Sequence, residues 1–278
     1  MLSYQHEYHA GNHADVVKHA VLALLIDALQ RKPKPIRVID SHAGAGSYDL
    51  TSREAQQHRE FADGIARILD ARPVPPELSR YVGAVAALNG GDLLLKYPGS
   101  PQLARMLLRD DDHLELFELH PRAHASLEAT FRGDRRVHLH RRDAFEGVPA
   151  VVPPRERRGL VLIDPAYERR EELDAVLEML PVLLRRWPNG VYAVWYPLLH
   201  KPEVRAYVRR LRELEMPRRF QVELQVARPG SVGLLGSGLV IANLPYGLDA
   251  PLKTIVPWLH RRLAPDGVGS WQAAWLAP

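Results

Sequence analysis

The stretch LELFELHPRAHASLEATFRGDRRVHLH, residues 114–140, decides the fold. Its first seven residues are mostly apolar and predict a buried strand. The next segment, 121–131, begins with proline and predicts a helix, and residues 136–140 predict a second strand. Strands that alternate with helices in this way are typical of a mostly parallel sheet with helices on both faces.

The same alternation extends outward from this stretch in both directions. Further strands are predicted at IRVID (36–40), GLVLID (159–164) and GVYAVWYP (190–197), and further helices at 173–187 and 202–214. Near the N-terminus, Asn12 is a cap-like residue before a predicted helix with apolar residues at helical spacing, at Val17, Val21, Leu24, Leu25 and Leu29.

The C-terminal part has a different pattern. FQVELQVA (220–227) and GLVIANLP (238–245) lie close together across a glycine-rich link, which predicts an antiparallel hairpin. A mostly parallel sheet that ends in an antiparallel hairpin is the layout of the class I, Rossmann-like fold of S-adenosylmethionine-dependent methyltransferases. We therefore expect an α/β protein of this fold class.

Residues 50 to about 110 lack strand-like runs and predict a helical insertion. We expect a single domain in three parts: an N-terminal helical segment (1–35), an α/β core (36–49 and 111–278) and an inserted helical subdomain (50–110). No internal repeat or low-complexity segment interrupts it. A monomer is the default expectation.

Composition narrows the class of protein further. The chain has no cysteine, which excludes disulfides and thiolate metal sites. It has no basic-then-apolar leader and no apolar run near the ~20 residues of a membrane helix, so we expect a soluble, cytoplasmic protein without a membrane partner. A net charge of +4 is compatible with a polyanionic partner.

Polar residues follow the predicted strands where ligands bind in open α/β sheets. Gly44 and Gly46 predict a tight turn after the first strand, although Asp49 stands where a dinucleotide-binding motif needs its third glycine. Glu118 can accept hydrogen bonds from ribose hydroxyls, and Asp143 can accept from the amino group of an adenine. Each also fits a helix cap or a surface ion pair, but together they indicate an adenosine site.

The fourth strand ends in Asp164-Pro165-Ala166-Tyr167. An exocyclic amine of adenine is a poor nucleophile because its lone pair is delocalised into the ring. The Asp164 carboxylate and the Pro165 carbonyl can both accept its N–H bonds and so point the lone pair at an electrophilic methyl group. Tyr167 can stack on the base.

This DPAY motif resembles the [D/N/S]-P-P-[Y/F/W] signature of adenine N6-methyltransferases. Nearly the whole chain resembles the ribosomal RNA large subunit methyltransferase J family, which methylates N6 of an adenine in 23S rRNA. The matching segments are LSYQHEYHAGNHADVVKH, DSHAGAGSY, YPGSPQLARMLLR, ELHP, GLVLIDPAYE, YAVWYP, GSGLVIANLP and VPWLH.

The resemblance implies a set of roles for individual residues. Those implied to contact S-adenosylmethionine are His19, His42, Ser100, Glu118, Asp143, Ala144 and Asp164, with Asp164 also the catalytic acceptor. Tyr4, His6 and Lys18 would lie near the active site and serve the RNA, Lys18 as a phosphate contact. Two positions depart from the family pattern: Ala166 replaces its usual second proline, and Ala144 replaces a glycine.

Some features keep alternative interpretations. The histidines at 6, 9, 13 and 19 could indicate a metal site, although the expected cofactor needs none and we expect no metal. NLPY (243–246) also follows an apolar strand and offers a polar side chain and a ring, but its place in the hairpin favours a structural role. Trp195 and Tyr196 could wall the base pocket or pack in the core.

Three functional hypotheses follow from the sequence. The first is a 23S rRNA adenine N6-methyltransferase. The second is a DNA adenine or protein glutamine methyltransferase, because this type of site accepts any planar amine. The third is a non-catalytic RNA-binding protein that keeps the fold.

Overall fold

The computed structural model describes residues 5–91, 93–228, 231 and 233–276. Its strands are β1 (Arg37–Asp40), β2 (Ser47–Asp49), β3 (Lys96–Pro98), β4 (His113–Phe117), β5 (Val137–His140), β6 (Gly159–Ile163), β7 (Val191–Leu198), β8 (Phe220–Gln225), β9 (Gly236–Ala242) and β10 (Ser270–Trp275). Its α-helices are α1 (His13–Gln30), α2 (Arg53–His58), α3 (Glu60–Asp63), α4 (Ile65–Leu69), α5 (Ser79–Asn89), α6 (Ser100–Leu107), α7 (Pro121–Thr130), α8 (Ala144–Val151), α9 (Arg170–Arg186), α10 (Pro202–Glu213) and α11 (Asp249–Leu263). Short 3₁₀ helices span His6–Tyr8 and Pro76–Leu78.

Eight strands form one sheet in the order β10-β8-β9-β7-β6-β1-β4-β5. The five strands from β5 to β7 are parallel, and β9, β8 and β10 add to β7 in antiparallel pairs. Strand order reverses at β1, which lies between β4 and β6, so the ligand crevice of this sheet is expected at the carboxyl ends of β1 and β6. The predicted fold class is confirmed.

The antiparallel end of the sheet is larger than the sequence predicted. β8 and β9 form the expected hairpin, with Phe220 opposite Ile241. A further strand, β10, pairs with β8 and forms the sheet edge. Its pattern of exposed and half-buried residues differs from the apolar runs that identify the buried strands, so the sequence does not reveal it.

Helix α1 is confirmed where Asn12 and the apolar spacing placed it. The Asn12 side chain accepts hydrogen bonds from the backbone N–H of Ala14 and Asp15, at 2.9 and 3.0 Å, which satisfies two of the open donors at the helix start. The helix is buried along most of its length, because it packs between the sheet, α6 and the segment of small helices that follows β2.

Residues 50–110 hold helices α2 to α6, but the expectation that this stretch lacks strands is wrong. β3 pairs antiparallel with β2, with Tyr97 opposite Tyr48. Both side chains are buried, so this small sheet closes over α1 instead of extending the large one. The division of the chain into a core and an insertion remains a prediction.

Across the ranges that the structure describes, no helix is both long enough and apolar enough to cross a bilayer.

Candidate active site

Two aspartates mark the point where the strand order reverses. Asp40 is the last residue of β1, and Asp164 directly follows β6. The Asp164 backbone N–H donates to the Ser41 hydroxyl at 3.4 Å, so the ends of the two strands are hydrogen-bonded to each other. The sheet topology therefore brings together the two segments that the sequence singled out, DSHAGAGSY and DPAY.

The glycine turn after β1 requires glycine at both positions. Gly44 and Gly46 have φ angles of +63° and +86°, where L side chains are strained. A Cβ on Gly44 would lie 2.5 Å from the Tyr48 hydroxyl, and one on Gly46 would lie 2.9 Å from Leu127. Glycine is therefore needed at both positions, for the left-handed backbone and because Tyr48 and Leu127 fill the space that a Cβ would occupy.

Glu118 fixes this turn from the next strand. Its Oε2 accepts from the Gly44 N–H at 2.8 Å and its Oε1 from the His120 N–H at 2.7 Å. Each carboxylate oxygen has further acceptor capacity, so the side chain can still bind hydroxyl groups of a ligand.

Asp143 caps a helix at the end of β5. Its side chain accepts from the Phe145 N–H at 2.8 Å and is solvent-exposed, while Ala144, the first residue of α8, is buried. The cap considered as an alternative is thus present. As a cap, Asp143 keeps its carboxylate beyond the carboxyl end of β5, where the adenine contact was expected.

Asp40 is buried with an unsatisfied oxygen. Its Oδ1 accepts from the His42 N–H at 3.3 Å, whereas Oδ2 has no hydrogen-bond partner within the described ranges. Burial raises the pKa of Asp40 to about 6, against a hydrogen bond from Ser100 that lowers it. An acceptor left open at a strand end fits a ligand that brings N–H or O–H donors.

The two histidines expected at the cofactor are neutral and differ in exposure. His42 is half-buried, its Nδ1 lies 2.7 Å from the Ser41 hydroxyl, and burial lowers its pKa to about 4. His19 is fully buried, with Nδ1 2.7 Å from the Tyr97 hydroxyl, and burial lowers its pKa to about 3. No described residue bonds to His19 Nε2.

Asp164 is held by a lysine from α1. Lys18 Nζ lies 2.6 Å from Asp164 Oδ2 and 3.0 Å from Asp15 Oδ1. Burial raises the pKa of Asp164, and the Lys18 ammonium opposes this shift. Lys18 is itself only 6% exposed, so its place differs from that of an open phosphate contact.

Asp15 is a site residue that the sequence did not single out. Its Oδ2 accepts from the Gly11 N–H at 2.9 Å and contacts His6 Nε2 at 2.8 Å, while Oδ1 contacts Lys18. Burial raises the pKa of Asp15, but His6 and Lys18 together hold it well below its ordinary value. The available signal was its spacing, three residues before Lys18 on one helix face.

The Tyr167 side chain is buried and holds the turn after β6, whereas stacking on a base would need an exposed ring face. Its φ of +54° is unusual for a tyrosine, and its side chain is 7% exposed. The hydroxyl donates to the Trp195 carbonyl at 2.5 Å and lies 2.9 Å from the Tyr207 hydroxyl. These bonds fix the path of Pro165 and Ala166.

The remaining predicted features are distributed as follows. Tyr4 lies outside the described residues. Within the described ranges, no three histidine or acidic side chains are grouped to hold a metal ion. Tyr196 packs in the core and accepts from Gln221, whereas the Trp195 ring centroid lies 5.7 Å from Lys18 Nζ, at the site.

The sheet order, the glycine turn and the acidic residue with proline at the switch point define a class I methyltransferase, a class that takes its methyl group from S-adenosylmethionine. Comparison with known proteins narrows this class. A family model described as ribosomal RNA large subunit methyltransferase D, RlmJ, matches residues 33–277. The chain belongs to this family of ribosomal RNA large subunit methyltransferases.

Individual relatives agree with the family over the whole chain. The proteins named ribosomal RNA large subunit methyltransferase J from Escherichia coli and Haemophilus influenzae are each 40% identical to this chain, over all of both chains. A crystal structure of a Legionella pneumophila protein is 32% identical, with a TM-score of 0.90, and covers 97% of this chain and 99% of that one.

Proposed function

We propose that this protein methylates the N6 amine of an adenine in 23S rRNA, with Asp164 and the Pro165 carbonyl holding the amine. The observation that carries the proposal is the place of Asp164. It follows β6 at the reversal of strand order, and its carboxylate is bound by Lys18 at 2.6 Å. The names of the two relatives support a large-subunit rRNA substrate.

The chemistry requires an acceptor that is charged although buried. Burial alone favours the neutral carboxylic acid, which could accept fewer hydrogen bonds from the amine. The Lys18 ammonium lowers the pKa of Asp164 against this effect. We infer that Lys18 keeps the carboxylate ionised, and that Asp15 and His6 keep Lys18 in place.

The reaction then divides between the two acceptors. The carboxylate of Asp164 and the carbonyl of Pro165 accept the two N–H bonds of the amine, which draws the nitrogen lone pair out of the ring. S-Adenosylmethionine supplies an electrophilic methyl group at this point. We infer that the proton that the nitrogen must lose passes to Asp164, whose carboxylate already accepts one of the N–H bonds. Preorganised polar groups of this kind are worth roughly 100-fold or more in rate.

The residues around the glycine turn fit the cofactor. Glu118 offers acceptors for ribose hydroxyls, and Asp143 with the Ala144 N–H offers an acceptor and a donor for the adenine ring. His42 and Ser100 both bond to Asp40, His42 through its backbone N–H and Ser100 through its side chain. His19 is fully buried, so any contact it makes would use its open Nε2 atom.

We place Tyr167 and Pro165 at the substrate as parts of the turn that presents Asp164. The left-handed φ of Tyr167 is held by its two hydroxyl hydrogen bonds, and conformations of this kind collect at active sites. Because the turn is fixed by Tyr167, the alanine at position 166 leaves the carbonyl of Pro165 in position. We expect Ala166 to be compatible with activity.

The proposal is tested by transfer of a labelled methyl group from S-adenosylmethionine to purified 23S rRNA from cells that lack the modification. Nucleoside analysis of the product should give labelled N6-methyladenosine. Transfer to duplex DNA or to a glutamine-containing protein, without transfer to rRNA, would favour the second hypothesis. Failure to bind S-adenosylmethionine would favour the non-catalytic one.

A further inference from the structure

A groove of about 560 Å³ lies along α10, within the ~300–1,000 Å³ range of ligand sites, and both apolar and polar residues line it. One wall is the helix and the floor is the adjacent face of β8 and β10. The lining residues that matter are Arg205, Arg209, Arg212, Glu223, Gln225 and Gln272. We call this the α10 groove.

The arginines give the α10 groove a positive wall. Arg205, Arg209 and Arg212 recur four and three residues apart, so they share one face of the helix. Arg212 is paired with Glu223 at 2.7 Å, and Glu223 is the sole carboxylate among the described lining residues. Arg205 and Arg209 are exposed, and neither is paired with a carboxylate in the part of the chain that the structure describes.

This arrangement is unfavourable for the free protein. Like charges four residues apart on a helix repel each other, and here nothing described compensates Arg205 and Arg209. A polyanion laid along the α10 groove would relieve the repulsion and release its own counterions. Charge complementarity therefore points to a polyanionic occupant.

The floor of the α10 groove carries polar side chains beside the ring of Trp271. Along β8, Val222 and Leu224 are buried in the core, while Glu223 and Gln225 alternate with them and face the groove. Gln272 of β10 lies opposite Glu223 and so shares that face. A face that offers amides as donors and acceptors fits a hydrogen-bonding chain with sugar hydroxyls better than an apolar helix.

The α10 groove lies on the sheet face opposite to α1, but it reaches the carboxyl end of β7, which is at the same end of the parallel strands as the candidate active site. Trp195 of β7 lies beside Lys18, and the same strand reaches the groove at Leu198. The distance between these two residues along the strand is roughly 10 Å, at ~3.3 Å per residue. Nucleotides adjacent to an adenine bound at Asp164 are therefore within reach of the groove.

We propose that the α10 groove binds the sugar-phosphate backbone of the RNA next to the target adenine. This rests on the proposed function and extends it to a second contact surface. Arg205 and Arg209 contact phosphate oxygens, while Gln225 and Gln272 contact ribose hydroxyls. Contacts to the backbone position the RNA without reading its sequence.

The test compares the double variant Arg205→Ala/Arg209→Ala with Arg210→Ala in the full-length protein. Arg210 lies on the same helix, is exposed, and bonds to Asp174 outside the groove. Binding of labelled, unmethylated 23S rRNA is measured at several salt concentrations. Methyl transfer is then followed as a function of RNA concentration, and S-adenosylmethionine binding is measured separately.

The double variant should bind rRNA on the order of tenfold more weakly. The slope of log affinity against log salt should become shallower by about 1.4, because each phosphate of a single strand that the protein neutralises adds ~0.7 to it. KM for RNA rises, while kcat at saturating RNA and the affinity for S-adenosylmethionine stay unchanged. Arg210→Ala behaves as the unmodified protein. A charge-reversed pair, Arg205→Glu/Arg209→Glu, should weaken binding further.

Equal affinities and salt slopes for the double variant and Arg210→Ala would overturn the inference, even if the unmodified protein methylates rRNA. Absence of rRNA methylation by the unmodified protein would instead contradict the proposed function. The binding measurement still decides the role of the groove in that case, because it does not depend on methyl transfer.

Discussion

Two similar tetrapeptides, DPAY at 164–167 and NLPY at 243–246, lie at opposite ends of the strands of the sheet. Both follow a buried strand and both offer a polar side chain, a carbonyl and a ring. β6 is parallel to β1, so Asp164 emerges at the ligand edge. β9 is antiparallel to β7, with Ala242 opposite Tyr192, so Asn243 emerges at the other edge.

The surroundings of the two motifs differ accordingly. Asn243 donates to the carbonyls of Pro188 and Gly190, at 2.6 and 2.8 Å, and so closes the loop before β7. Tyr246 is 90% exposed, whereas Tyr167 is buried. Asp164 instead carries a buried charge, which is costly unless paired and is paired here with Lys18. Strand direction, more than the motif, decides which of the two can meet a ligand.

The largest expected effect is the loss of methyl transfer when the aspartate of DPAY is replaced. Asp164→Ala removes the acceptor from the amine and should lower methyl transfer by on the order of 100-fold or more. Rates are measured with saturating rRNA and S-adenosylmethionine, and folding and RNA binding are checked separately. Near-normal turnover in a folded variant would refute the role assigned to Asp164.

The second prediction concerns the charge that supports Asp164. Burial raises the pKa of Asp164 and Lys18 lowers it, so Lys18→Gln should raise that pKa further. Because transfer requires the ionised carboxylate, the acidic limb of the pH–rate profile should move to higher pH. At neutral pH we expect slower methyl transfer, because a smaller fraction of the Asp164 carboxylate is ionised.

Lys253→Gln is the matched control for this change. Lys253 is exposed on α11 and pairs with Asp249 at 3.5 Å, so the pH–rate profile should stay in place. If Lys18→Gln left the acidic limb unmoved, or moved it to lower pH, Lys18 would not be the group that keeps Asp164 ionised.

The sequence predicted those parts of the fold and site that have a local signature. Apolar runs located seven of the eight strands of the large sheet, all except β10, and the close pair of runs near the C-terminus predicted the β8–β9 hairpin. Asp164 was identified because a carboxylate before proline at the end of a buried run is visible in sequence. The place of NLPY in the terminal hairpin, past the expected fourth strand, also favoured a structural role for it.

What the sequence did not predict depends on contacts between distant segments. Asp15 looks like an ordinary acidic residue in the first turn of a helix. Only the packing of α1 against β6 shows that it shares Lys18 with Asp164. The resemblance implied an RNA phosphate contact for Lys18, and the sequence gives no indication that this lysine is buried against Asp164. β2 and β3 are three residues each, and β3 packs against α5 and α6, so these strands also depend on contacts beyond their own residues.

A smaller effect on catalysis is expected at Asp40. This residue ends β1 beside the candidate active site, but it is not one of the two groups proposed to hold the amine. Its folded pKa of about 6 exceeds its ordinary value, so its contribution to stability is full at low pH and is lost as pH rises through about 6. Asp40→Asn stays neutral. Its unfolding free energy relative to the unmodified protein should therefore rise from about pH 4 to pH 7, by up to about 3 kcal/mol.

Urea unfolding at several pH values measures this difference, with Asp63→Asn as the exposed control. Methyl transfer should fall only several-fold, because Asp40 bonds to the turn through His42 and Ser100. A difference that stayed constant with pH would show that folding does not raise the pKa of Asp40.

The smallest effect on catalysis is expected at Asn243. Asn243→Gly keeps the left-handed φ of +56° but removes two hydrogen bonds, at about 1 kcal/mol each, and Asn243→Ala adds about 1–2 kcal/mol of backbone strain. Both variants should unfold at lower urea concentrations, alanine first, with unchanged methyl transfer per folded molecule. Loss of activity in a variant that is still folded would contradict this comparison. It would mean that the loop before β7, which Asn243 closes, controls the active site at the opposite end of the strands.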